Sequence, residues 1–276
     1  HRDLHLSLRR QRQMCIRDRS HGWHKALETL RSGGHGYEHV VAAPSQGVRG
    51  MILMSKLPIQ DPEVKFNGPS EMPTLLAKVA VGEREMFIAV VHPIRPGLRH
   101  GSRLRDSELR AIAEMIEPLG ADGVVIETMT ALDEASIAIR AAKEKTNLTV
   151  ISTMTFDKGP RGYFTMMGVT PEQAAIELVK SGADIVGTNC GNGIDNMIEI
   201  ATMMRDATDS PLLVHSNAGI PSLKDGEILY PEPPDYMAEK FMRLKKIGVN
   251  IIGGCCGTGP DHISAFSTLL EEIRGI

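Results

Sequence analysis

The chain is short of cysteine, of net charge and of long apolar runs, and each shortage removes a class of protein. Four cysteines in 276 residues, two of them adjacent at Cys255 and Cys256, do not make a disulfide scaffold, so metal binding or thiol chemistry is the better use for them. A net charge of −3 with a pI near 6.4 provides no broad basic field, which excludes nucleic-acid binding by bulk electrostatics. No apolar run approaches the ~20 residues of a membrane-spanning helix, and the amino-terminal stretch has no apolar segment of secretory type. These absences imply a soluble, cytoplasmic protein without membrane or nucleic-acid partners. A chain of this length holds one large barrel or two smaller domains.

What is present changes character twice. Residues 1–20 are crowded with arginine (Arg2, Arg9, Arg10, Arg12, Arg17, Arg19) without an amphipathic period, and read as a disordered basic tail of non-native sequence. The run from Arg12 to Arg19 resembles read-through of sequencing-adapter DNA; a nucleic-acid-binding arm is the alternative, since a basic run is weak evidence by itself. Residues 21–117 read as an α/β piece with short buried strands at Met51 to Ser55 and Met86 to Val91 and a helix at Arg105 to Ile116. Gly50 to Pro58 and Val91-His92-Pro93 make this section resemble a fragment of the endonuclease/exonuclease/phosphatase family, an α/β sandwich. That family's Gly-Asp-x-Asn and Ser-Asp-His segments are missing, so a divalent cation has no carboxylate cage and water has no base. A metal-dependent phosphodiesterase or phosphatase is therefore an alternative without its chemistry.

Residues 118–276 have a regular rhythm. Apolar, β-branched runs at Gly123 to Ile126, Thr149 to Thr153, Asp184 to Val186, Pro211 to Val214 and Val249 to Ile252 each precede a segment of helical period. That predicts βαβ units, a parallel sheet and the last five units of a partial (β/α)8 TIM-type barrel. Pro171 opens one helix, and Thr258 before Pro260 is a candidate cap for the last. No Gly/Ser/Pro-rich linker separates this section from the one before it, and the break near Pro118 predicts two sections without a common core, a chimera of two partial genes.

Three thiols stand at carboxyl ends of these strands. Cys190 follows Asp184 to Asn189, while Cys255 and Cys256 follow Val249 to Gly254, and the two strands are separated by one other, within ligand-bridging reach. Neighbouring side chains on a regular strand point to opposite faces, so both members of the pair can meet one metal only where the backbone turns; Gly253, Gly254 and Gly257 permit that. Three thiolates leave the fourth position of a tetrahedral zinc open, where coordination turns a thiol with a free pKa near ~8.5 into a thiolate nucleophile. The plainer alternative is that buried cysteines pack as small hydrophobes.

The segments Gly120-Ala121-Asp122 with Glu127-Thr128-Met129, Gly187-Thr188-Asn189-Cys190-Gly191, Asn217-Ala218-Gly219-Ile220-Pro221 and Gly253-Gly254-Cys255-Cys256-Gly257-Thr258 with His262-Ile263 stand in the order found in homocysteine S-methyltransferases. Residues 119–275 resemble that family. The resemblance implies a zinc-dependent barrel that moves a methyl group from a donor to the thiol of homocysteine, giving methionine, with Cys190, Cys255 and Cys256 as the Zn2+ ligands and Glu127 binding the substrate amino group. A carboxylate at a strand end suits that role. Asn217 either orients substrate or caps its own turn. His215 and Ser216 stand where relatives often have an aromatic residue and proline, and His262 reads as structural. Methyl-folate, methyl-corrinoid, S-methylmethionine and betaine all fit the same acceptor as donors. The family's first three strands have no counterpart before Gly120, which leaves a non-catalytic zinc-binding remnant as a further alternative.

Overall fold

The structure is a computed structural model that describes residues 14–16, 38–43, 51–55, 57–67, 72–81, 84–91, 101–118, 120–191, 193–224 and 227–274. These divide into two units, one made of the described residues from Met14 to Asp122 together with Glu144–Leu148, the other of those in Gly123–Lys143 and from Thr149 onward.

The first unit carries two antiparallel sheets. β1 (Met14–Ile16), β2 (His39–Ala43) and β3 (Met51–Ser55) pair in the order β1-β3-β2, and β4 (Ile59–Asn67), β5 (Met72–Val81) and β6 (Arg84–Val90) pair in sequence order. Val41, Met51, Leu53, Leu75, Ala77 and Val90 form its apolar core. The expected run at Met51 to Ser55 is thus a strand, that at Met86 to Val91 is one up to Val90, and helix α1 (Gly101–Ile116) extends the expected helix by a turn at its start. Three residues of the basic section, expected as disordered tail, form β1 against Leu53 to Ser55. The rest of that section, with Gly50 and His92-Pro93 of the phosphatase-like segments, lies outside the described residues.

The second unit alternates strands and helices. β7 (Gly123–Met129), β8 (Thr149–Met154), β11 (Ile185–Cys190), β12 (Leu212–Ser216) and β15 (Ile251–Gly254) form one parallel sheet in the spatial order β7-β8-β11-β12-β15. Between and after them run α2 (Leu132–Lys145), α3 (Pro171–Lys180), α4 (Ile194–Ala207), α5 (Pro234–Ile247) and α6 (Pro260–Arg274). Two short hairpins, β9–β10 (Asp157–Gly159, Gly162–Phe164) and β13–β14 (Ser222–Lys224, Glu227–Leu229), interrupt the β8–α3 and β12–α5 connections. All five strands lie where the apolar runs placed them, as five β/α units of a partial barrel.

One apolar layer joins sheet and helices. Alternate strand residues (Val124 and Ile126, Val150 and Met154, Val186, Leu212 and Val214, Ile252) pack against Ile139, Leu178, Met197, Met204, Phe241 and Phe266 of the helices. Period-two alternation turns the intervening residues to the other face of the sheet. On the two outermost strands that face is open: Val125 is 51% exposed and Ile251 is 37% exposed. Helix starts follow local chemistry. Thr170 caps α3, its hydroxyl accepting from the Gln173 N–H while the Gln173 side chain accepts from the Thr170 N–H, a reciprocal capping box with Pro171 at the first helical position. Among the described residues no helix is long and apolar enough to cross a membrane.

Candidate metal and thiol site

β11 and β12 lie unusually close because Gly187 faces Leu213: a Cβ built at residue 187 would stand 1.9 Å from the Leu213 carbonyl oxygen. In-register pairing then sets Asn189 opposite His215 and His215 opposite Gly253. One step further on, all three chains leave the sheet at its carboxyl edge, and three separate devices turn them.

At the end of β11 the turn falls on a residue other than glycine. Cys190 has φ 70 and Gly191 the same value, a left-handed conformation that L-residues enter at a cost. At the end of β15, glycine makes the turn affordable: Gly254 lies against Thr258, where a Cβ would come 2.0 Å from its Oγ1, and Gly257 has φ +83 beneath the Tyr230 ring, 2.2 Å from where its Cβ would be. The Thr258 hydroxyl donates to the Cys255 carbonyl at 2.8 Å, closing the turn around the cysteine pair rather than capping α6. His262 is structural as expected: its Nδ1 accepts from the Gly259 N–H at 3.1 Å and its Nε2 donates to the Glu232 carbonyl at 3.1 Å.

Asn217, directly after β12, ties the two cysteine-bearing turns together. Its Nδ2 donates to the Gly191 carbonyl at 2.6 Å and lies 3.7 Å from Cys190 Sγ, while its Oδ1 accepts the Cys256 N–H at 2.9 Å. The amide, 6% exposed, is thereby used on both faces. The Ser216 carbonyl accepts the Cys255 N–H at 2.6 Å and the Cys256 carbonyl accepts the Ala218 N–H at 2.9 Å, so the pair is held by its main chain as well.

The consequence is a cluster of three sulfurs. The Sγ atoms of Cys190, Cys255 and Cys256 all lie within 4.8 Å of one another, partly to fully buried, and among the described residues they form the group of ligand side chains suited to a metal ion. Hydrogen bonds from Cys190 and Cys256, with burial added, push the Cys255 thiol far above its ordinary pKa. For Cys190 the contact with Cys255 pulls down, but the bond with Cys256 and burial outweigh it and its thiol is raised. Three thiols this close and partly to fully buried cannot ionise together, because each thiolate repels the next; a divalent cation removes that obstacle. The donor set therefore fits a soft or borderline metal at one shared point.

Glu127 lies on β7, two strands away from β11, in the second expected part of the site. It is exposed, and the sheet register slips between Ile126 and Met129 as a bulge. The bulge is completed by Thr128 at φ 61, a value that costs a β-branched residue about 1–3 kcal/mol. His215 on β12 feels the Glu127 charge, which raises its pKa, but burial weighs more and holds it below the ordinary imidazole value. Sequence reasoning passed over Asn189, which is 1% exposed and bonded to Thr128 and Thr153. Its signal was its place inside the Gly-Thr-Asn-Cys segment, one residue before a cysteine.

Comparison with known proteins places the same stretch. The sequence pattern of the family described as Homocysteine S-methyltransferase matches residues 100–270, beginning about twenty residues before the motif resemblance at Gly120 and including α1. The chain is 28% identical over 178 residues to methionine synthase of Mycobacterium tuberculosis, covering 62% of this chain and 14% of that protein. It is 31% identical over 175 residues to betaine–homocysteine S-methyltransferase 1 of Danio rerio, covering 56% of this chain and 42% of that one. The chain thus spans less than half the length of these relatives. Among solved structures, the metallated homocysteine methyltransferase MmuM of Escherichia coli aligns with a TM-score of 0.48 at 19% identity, over 59% of this chain and 50% of the other.

Proposed function

This chain belongs to the homocysteine S-methyltransferase family, and from that premise we propose that its three-thiol cluster is a Zn2+ site at which the sulfur of homocysteine accepts a methyl group to give methionine. The observation that carries the reading is the convergence of Cys190, Cys255 and Cys256 within 4.8 Å at one edge of the sheet. The donor set is three sulfurs, which leaves a tetrahedral ion one position for substrate. When bound, zinc would supply a Lewis acid beside which a thiol loses its proton near neutral pH.

The chain's own groups have separate tasks. Cys190 and the Cys255–Cys256 pair hold the ion from two strands. Asn217 keeps those two turns in register by its bonds to Gly191 and Cys256, so its contribution to substrate binding runs through the geometry of the thiols. Glu127 offers a carboxylate to the α-ammonium of the amino acid, at the same carboxyl edge of the sheet and on the side of His215. His215, biased toward its neutral form by burial, adds no positive charge that would repel that ammonium. Three reduced cysteines at one site suit a reducing, cytoplasmic setting.

The donor is left to experiment. Zinc-loaded chain should transfer a methyl group to homocysteine from one of methyl-folate, methyl-corrinoid, S-methylmethionine or betaine, read as methionine formed. Zinc bound at one equivalent, without methionine from any of the four, would reduce the reading to a non-catalytic zinc-binding module. Failure to retain zinc would remove its chemical centre.

A further inference from the structure

Two strained residues stand at this edge of the sheet, and the residue next to one of them reaches the other through a buried side chain. Thr128, the residue after Glu127, sits at φ 61 in the bulge of β7, and Cys190 sits at φ 70 where β11 ends. Neither position is glycine, so each conformation persists only where its surroundings over-determine it. For Thr128 the surroundings are Asn189. The Asn189 Oδ1 accepts the Thr128 N–H at 2.8 Å and the Thr153 hydroxyl at 2.7 Å, and its Nδ2 donates to the Thr128 hydroxyl at 2.7 Å. The Asn189 carbonyl accepts the Thr155 hydroxyl at 3.0 Å. Both faces of the amide are therefore used, across β7, β8 and β11, and the next residue along the chain is a cysteine of the cluster.

We propose that Asn189 is a positioning residue that latches Thr128 in its left-handed conformation, and thereby holds the Glu127 carboxylate at the fixed distance from the thiol cluster that an α-amino thiol substrate requires. The argument is one of leverage. A bulge residue freed to relax toward extended backbone rotates its neighbour's side chain, because successive residues on a strand point to opposite faces. Released from Asn189, the Thr128 main chain returns toward the extended region and takes Glu127 away from the site. The cysteines are untouched, since Asn217 and the glycine turn hold them independently. Asn189 thus governs recognition of the amino group while leaving capture of the sulfur unchanged. The inference rests on the reading of Glu127 as the ammonium partner, and deepens it.

The test uses the full chain loaded with Co2+, whose thiolate charge-transfer absorption reports a bound sulfur. It compares L-homocysteine with 4-mercaptobutanoate, which has the same thiol and carboxylate but no amino group. The unmodified chain should favour homocysteine by about tenfold or more, the range of a charge-assisted hydrogen bond. In Asn189→Ala that preference should fall close to unity, while Co2+ stoichiometry and affinity for the amine-free thiol stay as they were. Asn189→Asp keeps the acceptor for the Thr128 N–H and lets the Thr128 hydroxyl donate instead, so it should restore most of the preference. Retention of the preference in Asn189→Ala overturns the latch alone. Loss of metal and of both thiols together, in Asn189→Ala and Asn189→Asp alike, makes Asn189 a general structural residue and also overturns it. If the unmodified chain shows no preference, the Glu127 reading falls and takes the latch with it.

Discussion

At the scale of single residues, the site is a set of side chains whose effects separate. Each cysteine should matter by itself. Replacing Cys190, Cys255 or Cys256 with alanine leaves two thiolates, and zinc retained after dialysis should drop well below one equivalent, whereas Cys15→Ala should retain it fully. Glu127→Gln keeps the size of the side chain and removes its charge. Homocysteine binding should weaken by about 1.5–3 kcal/mol, with zinc content unchanged, in calorimetric titration of the loaded chain. Asn217→Ala is expected to behave oppositely to Glu127→Gln. It strips partners from the Gly191 carbonyl and the Cys256 N–H, at about 1–3 kcal/mol of stability for each buried group left unpaired, and should lower metal affinity before it alters the preference among thiols.

At the scale of elements, closeness between neighbouring strands decides whether those side chains meet. Gly187 lets β11 lie against the Leu213 main chain, and a methyl group there collides with backbone that no rotamer change can move. Gly187→Ala should therefore cost about 3 kcal/mol or more, read by denaturant unfolding, and should weaken metal binding as well, because β11 carries Cys190. The start of β11 is held to β8 through Asp184, whose carboxylate accepts the Val150 N–H at 2.7 Å and the Lys143 ammonium at 2.5 Å. Burial pushes its pKa up, but those partners outweigh it and hold the carboxyl below its ordinary 3.8. A depressed carboxylate contributes stability that is present above the unfolded pKa and fades as pH falls through the folded one. Unfolding curves of the parent chain and of Asp184→Ala should accordingly differ most at pH 6, and the difference should shrink as the pH falls below 3.8. A difference that persists unchanged into that range would remove Asp184 from the acid sensitivity.

At the scale of the whole molecule, two apolar cores are built from different parts of the chain. One gathers Val41, Met51, Leu53 and Leu75, the other Ile139, Leu178, Val186, Met204 and Phe241. Separate cores predict separate unfolding. Limited proteolysis should cut between Glu117 and Asp122, just before β7, and give two unequal fragments; a single resistant core spanning that junction would show that the two sections fold as one. The family match reaches back to residue 100, so α1 travels with the barrel pattern in sequence while it groups with the first unit in space. The expected break near Pro118 was set by where recognisable motifs began. A helix preceding the first motif carries only an amphipathic period, which many families share.

Much of this was determined by the sequence alone, and the division has a physical cause. Apolar runs of strand length between helical periods specify five parallel strands, because each run can be buried only between neighbours of the same kind. Glycines beside a cysteine pair announce a turn that brings both thiols to one side. Those are local properties of composition and spacing. Other features were decided only by the fold: the left-handed Thr128 and Cys190, the amide of Asn189 reaching β7 and β8, and Asn217 spanning two turns. Threonine and cysteine carry no left-handed preference, and an asparagine shows its partners only when strands 61 residues apart, Thr128 and Asn189, are brought side by side. Asn217 illustrates the same limit, since a side chain that reads as a cap for its own turn reaches the Gly191 carbonyl and the Cys256 N–H, 26 and 39 residues away, only once three strands are side by side. Local chemistry names the groups, and tertiary hydrogen bonds assign them their work.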